Sequence, residues 1–376
     1  MKRILAITIV AFSVFSGINA QSVNDQLNPL ITGVPFLTIA PDARAGGMGD
    51  IGAATTPDIA SQYWNPAKYA FMESEAGMSF SFTPWLSKLV SDINLSNLVG
   101  YWRFEDRQTL SASLRYFSLG EVVLQERPDE TPFSAYPSDF AVDVAYSLLL
   151  SENLSGSVAL RYIWSNLGAL NRADMHPGSS FAADLAFYYR LPIEFASGDG
   201  KWGLGLNISN IGSKITYDDE ARHFIPTNFR LGTSFDYPIN SYNRISASVD
   251  LNKLLVPTRP RDVNELQDYY DMSPIAGIFK SFGDAPRGFK EEMEEVMWSI
   301  GAEYAYNNQF FARAGYFNEH VNKGNRKFFT AGVGFKLTAF QLDVAYVISS
   351  AQTNPLDGTL RFGLSFDIFG LRNLVN

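Results

Sequence analysis

The chain has 376 residues, a net charge of −9, no cysteine and three scattered histidines (His176, His223, His320). Without cysteine it is neither a lipoprotein nor a disulfide scaffold, and cysteine-ligated metal sites are excluded. The acidic balance leaves no footprint for nucleic acid. No stretch beyond the N-terminus is apolar for the roughly 18 residues that a membrane helix needs.

Lys2 and Arg3 precede an apolar run from Ile4 to Ser16 and small residues from Gly17 to Ala20. This layout predicts a secretory signal peptide over residues 1–20, with the mature chain starting at Gln21. The run is too short to span a hydrocarbon core of about 30 Å. Residues 21–75 show no alternation. They are rich in small residues and turn formers, as in Pro41-Asp42-Ala43-Arg44-Ala45-Gly46-Gly47-Met48-Gly49-Asp50 and Trp64-Asn65-Pro66-Ala67. Phe36, Tyr63, Trp64, Tyr69 and Phe71 argue against a disordered tail, since such tails are poor in aromatics. Ahead of the strands that follow, the segment reads as a plug packed in a barrel lumen. Pro41, Asp42, Arg44, Gly46, Gly47, Gly49, Asp50, Asn65 and Pro66 are its motif residues. Gly47 to Gly52 also fits G-x-G-x-x-G, but a dinucleotide site needs a preceding strand and a following helix. Tight turns inside a plug account for it better.

From residue 76 the pattern has period two. In the last segment Leu360, Phe362, Leu364, Phe366 and Ile368 share one face, and Arg361, Gly363, Ser365 and Asp367 share the other. Fourteen such segments begin near Met78, Leu95, Leu110, Phe140, Leu154, Phe181, Trp202, Phe229, Ile245, Trp298, Phe310, Phe329, Phe340 and Leu360. The second, Asn94 to Arg103, alternates poorly. The segments are longer than ordinary sandwich strands, many carry an aromatic near one end, and the number is even, as in bacterial outer-membrane barrels. Short connections (Glu105–Gln108, Leu150–Asn153, Tyr237–Tyr242, Tyr306–Gln309, Leu337–Ala339, with Leu191–Gly200 intermediate) interleave with long ones. Outer-membrane barrels sort their loops this way, with short periplasmic turns and long outer loops. The expected fold is therefore all-β, a 14-stranded antiparallel transmembrane β-barrel spanning residues 76–369. It carries an N-terminal plug, a periplasmic tail at 370–376 and both termini in the periplasm.

Seven cations (Arg115, Arg161, Arg190, Arg230, Arg313, Lys336, Arg361) and seven anions (Asp143, Asp184, Asp236, Asp250, Glu303, Asp343, Asp367) fall on the inward face. An ion-selective pore would favour one sign. Balanced charges are expected to pair with each other and with Asp42, Arg44, Asp50 and Lys68 of the plug. The fifth long loop, residues 254–295, far exceeds the usual loop length. Helices are expected at Asn264–Met272 and Lys290–Val296. Between them Ile275, Ile278, Phe279 and Phe282 form an apolar knob, either a partner surface or a cap on the barrel mouth. No G-x-S-x-G elbow occurs, and no catalytic or cofactor-binding residues are expected.

The stretches Val34 to Asp50, Ser61 to Phe71 and Phe82-Thr83-Pro84-Trp85-Leu86 resemble the PorV family of the type IX secretion system, also described as LptO. The Asn65-Pro66-Ala67 element is similar to the N-terminal region of FadL-type transport barrels, which have fourteen strands and a plug. Arg361 to Ile368 resembles the C-terminal signal read by the barrel-assembly machinery, although the chain runs seven residues past Phe369. The resemblance implies a carrier. PorV-like proteins bind the C-terminal domain of secreted cargo at the translocon barrel and deliver it to the surface sortase complex. There the cargo is attached to anionic lipopolysaccharide. The alternative is a FadL-like transporter of hydrophobic small molecules. A lipid A deacylase, associated with the LptO description, is the weakest reading.

Overall fold

The structure is a computed structural model. It describes residues 27–368 apart from 89, 91, 126–130, 168–175, 219–220 and 350–355. The expected signal peptide, its cleavage site, Phe369 and the expected tail lie outside the described residues.

Fourteen antiparallel strands close into a barrel, each hydrogen-bonded to its sequence neighbours and the last to the first. They are β1 (Ala76–Pro84), β2 (Asn94–Glu105), β3 (Gln108–Ser118), β4 (Ser138–Leu149), β5 (Leu154–Asn166), β6 (Gly178–Phe195), β7 (Gly198–Gly212), β8 (Asn228–Pro238), β9 (Asn243–Leu254), β10 (Met297–Tyr306), β11 (Phe310–Asn318), β12 (Lys327–Lys336), β13 (Phe340–Ser349) and β14 (Leu360–Asp367). Closure removes every sheet edge, the condition for strands to cross a bilayer. Burial follows the period of two. On β1, Met78, Phe80 and Phe82 are exposed on the outside, and Ser79, Ser81 and Thr83 are buried in the lumen. On β14, Phe362 and Phe366 face out, while Arg361 is buried and Ser365 bonds Ser79 across the closing seam.

The poor alternation of β2 has a cause inside the barrel. Its inward residues include Leu95, Val99 and Tyr101, which are buried. Leu95 joins an apolar cluster with Val34, Phe36 and Leu37, and Tyr101 stacks on Tyr69 at 5.2 Å. Where the lumen holds an apolar segment, the inward face of the wall turns apolar as well.

One connection is corrected. Residues 191–200 are not an intermediate turn, because β6 and β7 stay paired from Leu191↔Trp202 to Phe195↔Gly198. A backbone ladder needs no side-chain alternation, so the pattern fades before the strand ends. The long connections hold small structures of their own, namely a hairpin of Val122–Leu124 with Phe133–Ala135 and another of Ile215–Thr216 with Arg222–His223.

The expected termini lie outside the described residues, and within those the two ends of the chain are apart. Asn28 N–H donates to Asn322 O (2.7 Å) in the long connection after β11, whereas Asp367 N–H donates to Ala339 O (2.9 Å) in a short turn. Leu27 and Asp367 therefore lie at opposite mouths. Counting strands fixes where β1 begins. It does not fix where a segment that runs through the lumen enters it.

The strand facing predicts an asymmetry. Leu364→Arg puts a charge among outward apolar residues, at a cost of about 2–4 kcal/mol near the bilayer midplane. Ser365→Arg adds it to a polar lumen. Heat-modifiable migration of the barrel from isolated membranes should be lost for Leu364→Arg and retained for Ser365→Arg. The reverse result would show the register to be off by one, and equal folding of both would contradict the asymmetry.

Candidate functional site

Residues 33–74 run through the lumen from the long-loop mouth to the short-turn mouth, and their polar groups reach the wall. Asp42 caps the helical turn Ala43–Gly46, accepting from Ala45 N–H (2.9 Å), and its second oxygen accepts from Trp64 Nε1 (2.5 Å). Pro41, Ala43, Ala45, Gly46, Gly47 and Gly49 are buried around that turn. Asn65 caps the 3-10 turn Pro66–Phe71. Its Nδ2 donates to Ala53 O and to Phe187 O of β6 (both 2.9 Å), tying the segment to the wall.

The turn at Met48–Gly49 explains the glycine-rich motif. Gly49 has φ +79°, and a Cβ there would meet the Tyr316 backbone at 2.8 Å. From the opposite side a Cβ on Gly315 of β11 would meet Met48 C at 2.0 Å. Two backbones pass at glycine distance here, and Gly49 N–H donates to Thr330 Oγ1 (2.8 Å). The motif is a packing device.

The charges pair, though not always as the sequence suggests. Arg44 meets Glu303 of β10 through Nε (3.1 Å) and Nη2 (2.9 Å) and Asp58 through Nη1 (2.5 Å). Arg313 of β11 bridges Glu303 (2.6 Å) and Asp343 of β13 (2.5 Å). Arg161 pairs with Asp143 and Asp184, and Arg361 with Asp50. Asp236 pairs with Arg244 (2.5 Å), which lies outside the expected set. Lys68 instead donates to Gly52 O (2.9 Å) and Thr55 Oγ1 (3.1 Å). Asp250 accepts from the Gly52 and Ala53 amides. Arg115, Arg190 and Arg230 lie over the rings of Tyr63, Phe71 and Trp64 at 4.5, 4.4 and 4.5 Å. Aromatic rings satisfy arginines that a sequence reading would assign to carboxylates.

The segment divides the lumen into two cavities. The short-turn side opens on a cavity of about 470 Å³ bordered by polar and charged groups, including Arg44, Asp58, Glu303 and Asp343. The long-loop side holds about 70 Å³, bordered by Leu37, Ile39, Trp85, Phe317 and Phe328 together with Asn210, Asn228 and Arg230. The cavities share no bordering residue.

Above the long-loop mouth, the fifth loop carries a 3-10 turn (Val263–Glu265) and three helices: α1 (Leu266–Asp271), α2 (Pro274–Lys280) and α3 (Phe289–Glu294). The helix α2 was not expected. Its signal was Ser273-Pro274, an N-cap followed by proline at the first helical position, and the Ser273 hydroxyl accepts from Ala276 N–H (3.2 Å). Gly277 of α2 rests on the Phe224 ring, where a Cβ would meet carbon at 2.5 Å. Ile278 is half-buried. Ile275, Phe279 and Phe282 are 55%, 74% and 58% exposed. The sequence reading overlooked Phe289 and Met293 of α3, 80% and 54% exposed. Their i, i+4 spacing was the available sign.

The helix α3 is inside out. Glu291, Glu292 and Glu294 are buried with the following Glu295, while the apolar residues face solvent. Lys323 donates to Glu291 (2.7 Å) and Glu295 (3.0 Å), Lys253 to Glu292 (3.1 Å) and Glu295 (2.5 Å), and Arg287 to Glu294 (2.5 Å). Burial alone would raise the Glu291 carboxyl. Hydrogen bonds from Lys323, Asn28 and the Arg287 amide outweigh it and hold the carboxyl down to about 2.

A model of the PorV type IX secretion system protein family matches residues 21–261. The chain belongs to this family. The match ends inside the fifth loop, ahead of α1, α2 and α3. No curated relative matches the chain. Among solved structures, the chain is similar to the Pseudomonas putida toluene transporter TodX (11% identity, TM-score 0.51, covering 91% of this chain and 99% of that one). It is also similar to the deltaS2S3 mutant of the TodX monoaromatic hydrocarbon channel (12%, 0.51, 86% and 98%). A Pseudomonas aeruginosa FadL homologue aligns over 90% of this chain and 99% of its own at 11% identity, with a TM-score of 0.44. At such identities the first two show a shared barrel fold. Family and fold together make this an outer-membrane protein of the type IX secretion system.

Removing a cation from the loop core tests its construction. Lys323→Ala leaves Glu291 and Glu295 buried without it, a loss of about 3–5 kcal/mol. Protease should then cut within residues 262–296 while the barrel stays heat-resistant. Acid should act in the same direction. A carboxyl lowered from 4.5 to about 2 stabilises fully above the ordinary value, and that contribution fades as pH falls from 4.5 towards 2. Cleavage at pH 5 should match that at pH 7. An uncut loop in Lys323→Ala would show that the network does not hold α3.

Proposed function

We propose that this protein is the carrier subunit of its secretion system. It binds the C-terminal domain of exported cargo at the long-loop surface and takes it from the translocon barrel to the cell-surface sortase complex, where cargo is joined to lipopolysaccharide. The observation that carries this reading is the exposure of Ile275, Phe279, Phe282, Phe289 and Met293 on a loop that buries Glu291, Glu292, Glu294 and Glu295. Soluble surfaces seldom group such residues unless a partner covers them, and exposed aromatic and aliphatic anchors are what interface hot spots are made of. A cap on the mouth would have buried them. In this reading the long loops are extracellular, the short turns are periplasmic, and the protein performs no catalytic step and needs no cofactor.

The long-loop cavity supports a second reading, a carrier of hydrophobic small molecules. Its border joins apolar side chains such as Leu37, Ile39 and Trp85 to polar ones such as Asn210 and Asn228, and Arg230 reaches it with a side-chain hydrogen bond, Nε to Asn252 Oδ1 (2.7 Å). The two readings separate on one variant. Phe279→Asp, Phe282→Asp and Phe289→Asp together change only exposed positions, so the barrel should insert normally. Co-purification with the translocon, the sortase or cargo should fall at least ten-fold, and cargo should accumulate unprocessed. Normal cargo maturation in the triple variant would dismiss the carrier surface. Loss of hydrophobic-substrate uptake in a strain lacking this protein, with secretion intact, would establish the transporter instead.

A further inference from the structure

Strand parity places the start of β1 at the short-turn mouth, yet the first described residues are not there. Asn28 lies among the long loops, where its amide donates to Asn322 O (2.7 Å) and its Nδ2 donates to Glu291 Oε1 of α3 (2.9 Å). Arg261 of the fifth loop reaches Leu27 O (3.5 Å). Further in, Gly33 N–H donates to Phe224 O (2.8 Å), and a Cβ on Gly33 would meet Ile215 at 2.5 Å. Only after this passage does the segment reach the lumen, the Arg44–Glu303 pair and, at the far end, Ala76.

We infer that Leu27 and Asn28 lie on the extracellular face, so that residues 27–74 thread the membrane from outside to inside as a non-strand strap. The inference rests on the carrier reading for the sidedness of the barrel. Several features of the structure support it. The strap is held at its outer end by loop groups rather than by wall strands. One of its holds is Glu291, the central carboxylate beneath α3, so strap and docking helix share a buried partner. Glu291 already takes Lys323 and Arg287, and Asn28 completes its shell with an uncharged donor. Leu27 is 50% exposed, consistent with an exit to solvent.

The chain contains no cysteine, so single-cysteine variants report position without background. Leu27→Cys, Lys280→Cys in α2 and Asp106→Cys in a short turn are to be exposed on intact cells to a membrane-impermeant maleimide, with denatured protein as the reference for full labelling. The expected result is labelling of Leu27→Cys and Lys280→Cys on intact cells, and of Asp106→Cys only after lysis. If Leu27→Cys labels only after lysis while Lys280→Cys labels intact cells, the strap inference is wrong and the orientation of the barrel stands. If Asp106→Cys labels intact cells and Lys280→Cys does not, the sidedness itself is reversed and the inference falls with it.

Discussion

The structure depends on one buried chain of charges, Asp58–Arg44–Glu303–Arg313–Asp343, which joins the lumenal segment to three strands of the wall. Its middle members are at most 12% exposed at the side chain. Charges held away from water at this depth are tolerable only when paired and hydrogen-bonded, and removing one partner costs far more than the pair contributes. The segment can therefore occupy few positions in the lumen. That fixed position sets the Met48–Gly49 turn against Gly315. It also sets Trp64 between Asp42 and Arg230, and separates the two cavities.

Much of the fold was legible in the sequence because a barrel wall imposes two different solvents on alternate residues. Lipid demands Phe362 and Phe366, and the lumen demands Arg361 and Ser365. The pattern blurred where the physics changed. Along β2 the lumen is apolar, so Leu95 and Val99 resemble lipid-facing residues. Past Leu191 the β6–β7 hairpin is paired by backbone alone. The partners of individual charges were not legible, since cross-strand register and the path of the lumenal segment decide them. Arg361 finds Asp50 311 residues away, while Arg115 and Arg190 find aromatic rings. The entry of the lumenal segment at the long-loop mouth was hidden for the same reason.

The surface was half legible. Ile275, Phe279 and Phe282 stand out as an apolar run in a polar loop. Phe289 and Met293 do not, because the glutamates around them suggest a solvated helix. Only the buried lysines Lys253 and Lys323, from β9 and the connection after β11, show that this helix turns its charges inward. Residues 33–74 fill the lumen from within, while the loop above it turns Phe279 and Phe289 to solvent.

Whether the lumen is sealed is the most direct test of this account. Single-channel recording in planar bilayers should find the intact protein nearly silent. Glu303→Gln, which removes the carboxylate shared by Arg44 and Arg313, should show frequent large openings from an otherwise normally inserted barrel. Steady, large conductance from the intact protein, unchanged by Glu303→Gln, would contradict the account.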